Sequence, residues 1–332
     1  MHRLEKFHHH PGAHCGSTAL ADVARFHGQA LSEPLCLGIG EGLGFAVAEG
    51  AADAPSRLVM GRNSDMEARF FENLGVAFEW EKDADDARAW QHAKDRVDAG
   101  TPALLRTDLR YLPYYKSKTH FTGHVVVLAG YDEGRGVAYL ADTQFPGLQE
   151  APLPALEKAR TSRHGMAPLR NHAFPVAPFT LPRDRGGLYR RAIASQARKM
   201  RDGRDLGLAK TGTLGMRHLA DTFPAWAEVS DWQWCARFAY QFIEKRGTGG
   251  GNFRRLYAEF LAQAAPHAPG LDLLGRAVQM MEIAEGWSAL ARALKAVSEA
   301  RAPDGFQEAG RMMSEIADRE DAFFTWAAAI AP

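Results

Sequence analysis

The sequence predicts an α+β protein in two parts: an N-terminal domain built on an antiparallel sheet, and an all-helical C-terminal domain. Three observations carry that expectation. Residues 120–131 contain the continuous apolar run Val125-Val126-Val127-Leu128-Ala129, which reads as a buried strand; residues 137–142 return as its partner across the glycine-bearing loop 132–136. From Gly187 onward apolar residues keep helical spacing, Ala and Leu are plentiful and β-branched residues few. Between the two lies a stretch punctuated by Pro146, Pro152, Pro154, Pro168, Pro175, Pro178 and Pro182. The expected division is a domain over 1–150, a connecting region over 151–186 and a helical domain over 187–332.

Composition narrows the class. At 332 residues the chain is long enough for two domains of ordinary size. With 46% hydrophobic and 24% charged residues it reads as globular rather than disordered. Lys+Arg and Asp+Glu both number 40, so the charge balance gives no support for a nucleic-acid partner. No apolar run is long enough to cross a bilayer, so no membrane partner is expected, and the polar, His-rich start has no signal-peptide core. Cys15, Cys36 and Cys235 lie too far apart for a disulfide framework or a zinc site. A reduced, cytoplasmic protein is the expectation. The adjacent His8, His9 and His10 cannot readily share one ion and no further ligand follows at typical spacing, so no metal is expected.

In chain order, residues 7–13 read as a loop with a turn at Pro11-Gly12. A helix opens at Cys15 and runs to about His27: Ala19, Leu20, Val23 and Ala24 recur at spacings of three and four, and Gly28 is placed to end it. Residues 35–45 carry glycines at 38, 40, 42 and 44. A dinucleotide fingerprint needs a strand before its glycines, whereas here a helix and a short loop precede them, so the stretch reads as a tight loop that a ligand or a strand can approach closely. Helices are expected over 61–74 and 83–99, and strands over 76–80 and 102–108. Residues 111–115, Tyr-Leu-Pro-Tyr-Tyr, form an aromatic loop of the kind that lines binding grooves, with Tyr111 as the substrate-facing candidate. An edge strand is expected near 172–176, then helices over 188–200, 213–223, 231–245, 252–264, 271–300 and 305–329.

The chemistry concentrates at three positions. Cys15 at a helix start lies where free N–H groups and the helix dipole favour a thiolate. If the loop 132–136 is symmetric, Tyr131 faces Val137 and Val126 faces Asp142, which places His124 and Asp142 on one face as diagonal neighbours. A one-residue bulge breaks that arrangement. Singly, Cys15 is equally a small buried residue, His124 a satisfied sheet histidine and Asp142 a turn residue. Together they supply a nucleophile, a base and a group that orients the base.

This pattern resembles the papain-like cysteine fold, especially its bacteriocin-leader peptidase branch. It is closer still to the N-terminal domain of the butirosin biosynthesis protein H family. The resemblance rests on His14-Cys15-Gly16-Ser17-Thr18-Ala19-Leu20, Ser32-Glu33, the stretch from Gly38 to Phe45, and Gly123-His124 to Gly130-Tyr131-Asp132. It covers most of residues 1–150. It implies an acyltransferase that takes an acyl group from a phosphopantetheine-linked thioester, on an acyl carrier protein or CoA, and gives it to a small amine; the namesake uses an aminoglycoside. No bound cofactor is implied. Glu33 and Glu41 lie in the matching stretches and are expected, with Tyr111, to meet substrate. Leader peptidases place a glutamine a few residues before the cysteine to help hold the oxyanion. This chain has histidines there, and His9, beside the Cys15 backbone N–H, is the candidate donor, with His14 in support.

In the second half, residues 245–255 place a glycine loop and basic residues at a helix start, so Gly249, Gly250 and Arg254 are candidates to hold a phosphate or carboxylate. The Walker lysine pattern is missing, which argues against ATP. This half resembles the uncharacterised helical domain that follows the butirosin-type domain in many family members. Its long helices offer apolar positions for a core or for a homodimer face. The rivals to acyl transfer are a cysteine peptidase or amidase, and a non-catalytic binding protein on the same fold.

Overall fold

After a two-residue strand β1 (His2–Arg3), the cysteine-first helix forms as its apolar spacing predicts. In α1 (Cys15–Phe26) Ala19, Leu20, Val23 and Ala24 are buried, His14 is the N-cap, and Gly28 follows with φ of +73°. The computed structural model describes residues 1–50, 54–164 and 168–331. The glycine-bearing stretch is a loop only at residues 40–42: its ends close α2 (Glu33–Ile39) and open β2 (Leu43–Glu49). Protein neighbours explain at least one of its glycines, because a Cβ at Gly38 would lie 2.2 Å from the Phe260 ring. The strand β3 (Arg57–Arg62) pairs with β2 and takes the start of the helix expected from 61, leaving the shorter α3 (Met66–Asn73). Residues 76–80, expected as a strand, lie outside any strand; Glu81 alone bridges to Ala173. Next come α4 (Asp86–Asp98), capped by Asp85, and β4 (Ala103–Thr107).

The aromatic loop folds as two 3-10 turns, Leu109–Tyr111 and Pro113–Tyr115. The expected hairpin is β5 (His124–Asp132) and β6 (Val137–Ala141). The proline-punctuated region is structured: it supplies β7 (Gln149–Pro152), α5 (Leu153–Arg160) and the edge strand β8 (Ala173–Pro175). Beyond it lie α6 (Arg185–Asp202), β9 (Ala209–Thr211), α7 (Gly212–Thr222), α8 (Trp232–Glu244), α9 (Arg254–Ala264), α10 (Leu273–Glu299) and α11 (Phe306–Ala328). The class is α+β, and among the described residues from Arg185 on the regular structure is helical apart from the three residues of β9. Among the described residues no helix is long and apolar enough to cross a membrane.

The chain divides into two compact units, each drawn from separated stretches. The first joins Met1–Cys36 to Leu74–Leu181. Among its described residues six strands form one antiparallel sheet in the order β7-β6-β5-β4-β8, with β1 added to β5. All of β5 except its last residue is buried, and α1 packs against it. The second joins Leu37–Asn73 to the chain from Pro182 on. There β3-β2-β9 form a small antiparallel sheet against which α7 and α8 pack, and α10 packs against α8, α9 and α11 around the fully buried Trp287. These units do not follow the divisions expected at 150 and 186. The 151–181 stretch completes the first sheet, and 37–73 carries two of the three strands of the second.

Candidate functional site

The site is built on the hairpin. Its register next to the loop is one residue away from the symmetric expectation: Asp132 pairs with Val137 and Tyr131 with Ala138. A bulge between Leu128 and Gly130 then restores it, so that Leu128 pairs with Leu140 and Val127 with Ala141. Asp142, directly after β6, therefore lies on the sheet face of His124, the first residue of β5. Gly130 at the bulge admits β1, since a Cβ there would lie 2.7 Å from the His2 carbonyl oxygen. Cys15 arrives from the other side. The turn before it is tied by the Gly12 N–H to the Thr143 carbonyl at 2.8 Å, next to Asp142.

The three groups are coupled: His124 is hydrogen-bonded to Asp142, and its charge also acts on the Cys15 thiol. His124 Nε2 lies 2.9 Å from both carboxylate oxygens of Asp142, which places its proton on Nε2 and leaves Nδ1 for Cys15, its other side-chain partner. All three are buried, Cys15 retaining 8% exposure. Burial opposes the charge on each of them, and the neighbours outweigh it. His124 is pushed up to about 10 because the charge and hydrogen bond of Asp142, then those of Cys15, exceed the effect of burial. Asp142 is held below the usual carboxylate range by His124 and two tyrosines, again against burial. The Cys15 thiol lies well below its ordinary value: burial raises it, and His14 and His124 together pull it down further. Alkylation of Cys15 by iodoacetamide is therefore expected to persist well below the ordinary thiol range. Its acid limb should move up by about one unit or more in His124→Ala. A limb that stays in place in that variant would contradict the pairing.

The histidines before the nucleophile have distinct surroundings. His14 caps α1 by accepting the Ser17 N–H on Nδ1 at 3.2 Å, and its Nε2 lies 3.9 Å from the Cys15 sulfur. The side chain of His9 is fully buried; Nδ1 lies 2.5 Å from the buried Asp22 carboxylate, and Nε2 is without a partner. Two tyrosines escaped the sequence reading. Tyr114 and Tyr115 donate their hydroxyls to Asp142 at 2.7 and 2.8 Å, and Thr143 adds a third at 3.0 Å. The Tyr115 ring also packs edge-on against the His124 ring at 5.3 Å. The aromatic loop was the signal, but the turn at Pro113 sends Tyr114 and Tyr115 to the aspartate. Tyr111 packs against His120 instead, with ring centroids 5.6 Å apart.

The other residues expected to meet substrate have protein partners. Glu33 braces the nucleophile segment, accepting the N–H groups of Ala13 and His14 at 2.9 and 2.7 Å and the hydroxyls of Ser17 and Thr18 at 2.9 and 3.3 Å. Both oxygens are therefore occupied. In the second unit the fully buried Glu41 carboxylate is held by Arg69, Asn73, Lys199 and Ser195. These partners hold it below the usual range although burial acts the other way. The Gly250 N–H is taken by Thr248 at 3.2 Å and the Gly251 N–H by Glu244, so the loop is a folded run of left-handed residues, with Gly249 exposed at φ of +69°. Arg254 is fully buried and forms a two-pronged pair with Glu320, at 2.7 and 2.8 Å, which leaves it no face for a ligand.

Fold and site together define an α+β protein in which a helix-borne free cysteine is coupled to a histidine–aspartate pair, the histidine opening one strand and the aspartate directly following the antiparallel strand beside it. The family described as "Butirosin biosynthesis protein H, N-terminal" matches residues 14–143, and the one described as "Domain of unknown function (DUF4872)" matches residues 154–326. The chain belongs to the family in which these two domains follow one another. No curated protein matches it.

Proposed function

We propose that the first unit carries a Cys-His-Asp nucleophile and acts as an acyltransferase, moving an acyl group from a carrier-protein or CoA thioester to a small amine. The observation that carries this reading is the buried grouping of Cys15, His124 and Asp142, with His124 Nε2 held 2.9 Å from the Asp142 carboxylate and the His124 ring coupled to Cys15, which lowers the thiol and raises the imidazole. Those are the directions that an ion-paired nucleophile needs. The Cys15 thiolate attacks the thioester carbonyl carbon. The carbon–sulfur bond to the donor breaks, and the donor thiolate leaves with the proton held by His124. The amine then attacks the acyl-cysteine, gives its proton to His124, and expels Cys15 as the amide forms. The Cys15 backbone N–H is the first proposed oxyanion donor; His9 is the second in its doubly protonated form, with Nδ1–H on the Asp22 carboxylate and the otherwise unpartnered Nε2–H left to donate. Asp142, clamped by Tyr114 and Tyr115, keeps His124 in one tautomer and one orientation.

The test is intact-protein mass spectrometry after incubation with a panel of acyl thioesters. A mass increase of one acyl group, mapped to Cys15 and discharged by added amine with amide product, is the expected result. Discharge by water at the same rate with or without amine identifies a hydrolase instead. An absent adduct, together with no labelling of Cys15 by a thiol probe, overturns the enzymatic reading.

A further inference from the structure

The first unit holds a recess of about 750 Å³ whose lining shares no residue with the cysteine site. It lies between one face of α4, residues 79–83 and the edge of β8. Arg160, the last residue of α5, is one of its walls and only 2% exposed. Among the described residues the guanidinium makes a single long hydrogen bond, from Nη2 to the Ala89 carbonyl at 3.5 Å, and Nε has no partner. Asp86 and Glu157 act on it only at longer range, and an Asp86 oxygen is already taken by the Asn171 amide at 2.7 Å. Burial prevails over these two acids and pulls the guanidinium down to about 10.

The other fully buried arginine shows what such a group ordinarily receives. Arg254 has both oxygens of Glu320, two backbone carbonyls and the face of Trp287. Arg160 has no carboxylate within ion-pair distance among the described residues. A buried charge left in this state is costly unless a partner arrives. Cations and carboxylates both line the recess. His172, beside the recess, is pushed down to about 4 by burial and by the charges of Arg106, Lys82 and Arg170. Of the acids on the wall, Asp83 is paired with Arg88, Glu81 faces Arg96 at 3.8 Å, and Glu79 is exposed to water.

We propose that this recess is a second binding site, for the carboxylate or phosphate group of a small molecule, with Arg160 as the anchoring cation and Lys82 as the cation at its wall. A guanidinium edge offers two parallel N–H groups that match the two oxygens of such a group, and the volume is that of a small-molecule pocket.

The experiment is a titration of the full-length protein followed by the arginine Nε–H resonances, with that of Arg160 assigned from its backbone. Inorganic phosphate and acetate are separate arms, and chloride at equal ionic strength is the control. A saturable shift of the Arg160 resonance with phosphate alone or acetate alone names the anion, and a shift with both leaves the shared oxyanion chemistry. The Lys82→Gln variant should bind severalfold more weakly, and Arg160→Lys should lose most of the affinity. An Arg160 resonance that stays in place with both anions, or that moves equally with chloride, overturns the proposal, as does undiminished binding in a folded Arg160→Lys.

Discussion

Cys15→Ala is expected to abolish acyl-enzyme formation and to lower acyl transfer on the order of 10⁴-fold or more, with the fold retained. The size of the effect follows from the arrangement: Cys15 is the only group of the three that can take the acyl group, and His124 without it has no proton to remove. The fold should survive because the side chain is small and the segment is held by other contacts. Glu33 holds Ala13, His14, Ser17 and Thr18, and the Gly12 N–H is tied to Thr143. Circular dichroism and thermal unfolding of the variant check the fold, and intact mass after thioester incubation checks the chemistry. A transfer rate equal to that of the unaltered protein would remove Cys15 from the mechanism.

The second large effect concerns stability. Glu320→Ala should destabilise the second unit by about 3–5 kcal/mol, because it strands Arg254 as a buried, unpaired cation. The loss reaches further than one ion pair. Glu320 Oε1 also accepts the Trp287 indole N–H at 2.6 Å, and Arg254 stacks over that ring with its guanidinium carbon 5.1 Å from the centroid. Arg254 in turn holds the Gly44 carbonyl at 3.0 Å and that of Asn252 at 2.7 Å. Removing both charges together, as in Arg254→Met with Glu320→Leu, should recover much of the loss, since an apolar pair of similar volume carries no desolvation penalty. Urea unfolding of the single and double variants measures both numbers. A midpoint unchanged in Glu320→Ala would show that the pair contributes nothing.

The hairpin shows how far local pattern reached. Its two apolar runs and the glycines between them placed β5 and β6 within a few residues, and His124 and Asp142 fell on a shared face as anticipated. Two departures cancelled to keep that outcome: the loop register is off by one, and the bulge at Ala129 returns it. The bulge follows from the approach of β1 to Gly130, a contact between residues some 130 positions apart that no local window contains. The same limit hid Tyr114 and Tyr115. Their aromatic character was visible, but which ring reached Asp142 depended on the turn at Pro113 and on where β6 ends. The partners of Glu33, Glu41 and Arg254 were hidden by the same limit. A charged residue in a motif reads as exposed until its buried partner, far along the chain, is known.

By itself the sequence determined the two-part α+β class, the cysteine-first helix, the strand pair that positions His124 and Asp142, the edge strand within the proline-punctuated stretch, and the run of C-terminal helices. Each of these is a matter of local periodicity and capping, which neighbours in the chain decide. Only the tertiary structure decided that 37–73 belongs with the C-terminal helices, that 151–181 completes the first sheet, and which polar side chains are braces rather than ligand contacts. Those outcomes depend on burial and on partners distant in sequence, where a charge is stable only if another part of the chain meets it. Arg254 is met by Glu320 and Asp142 by His124, Tyr114 and Tyr115, whereas Arg160 is left facing an open recess.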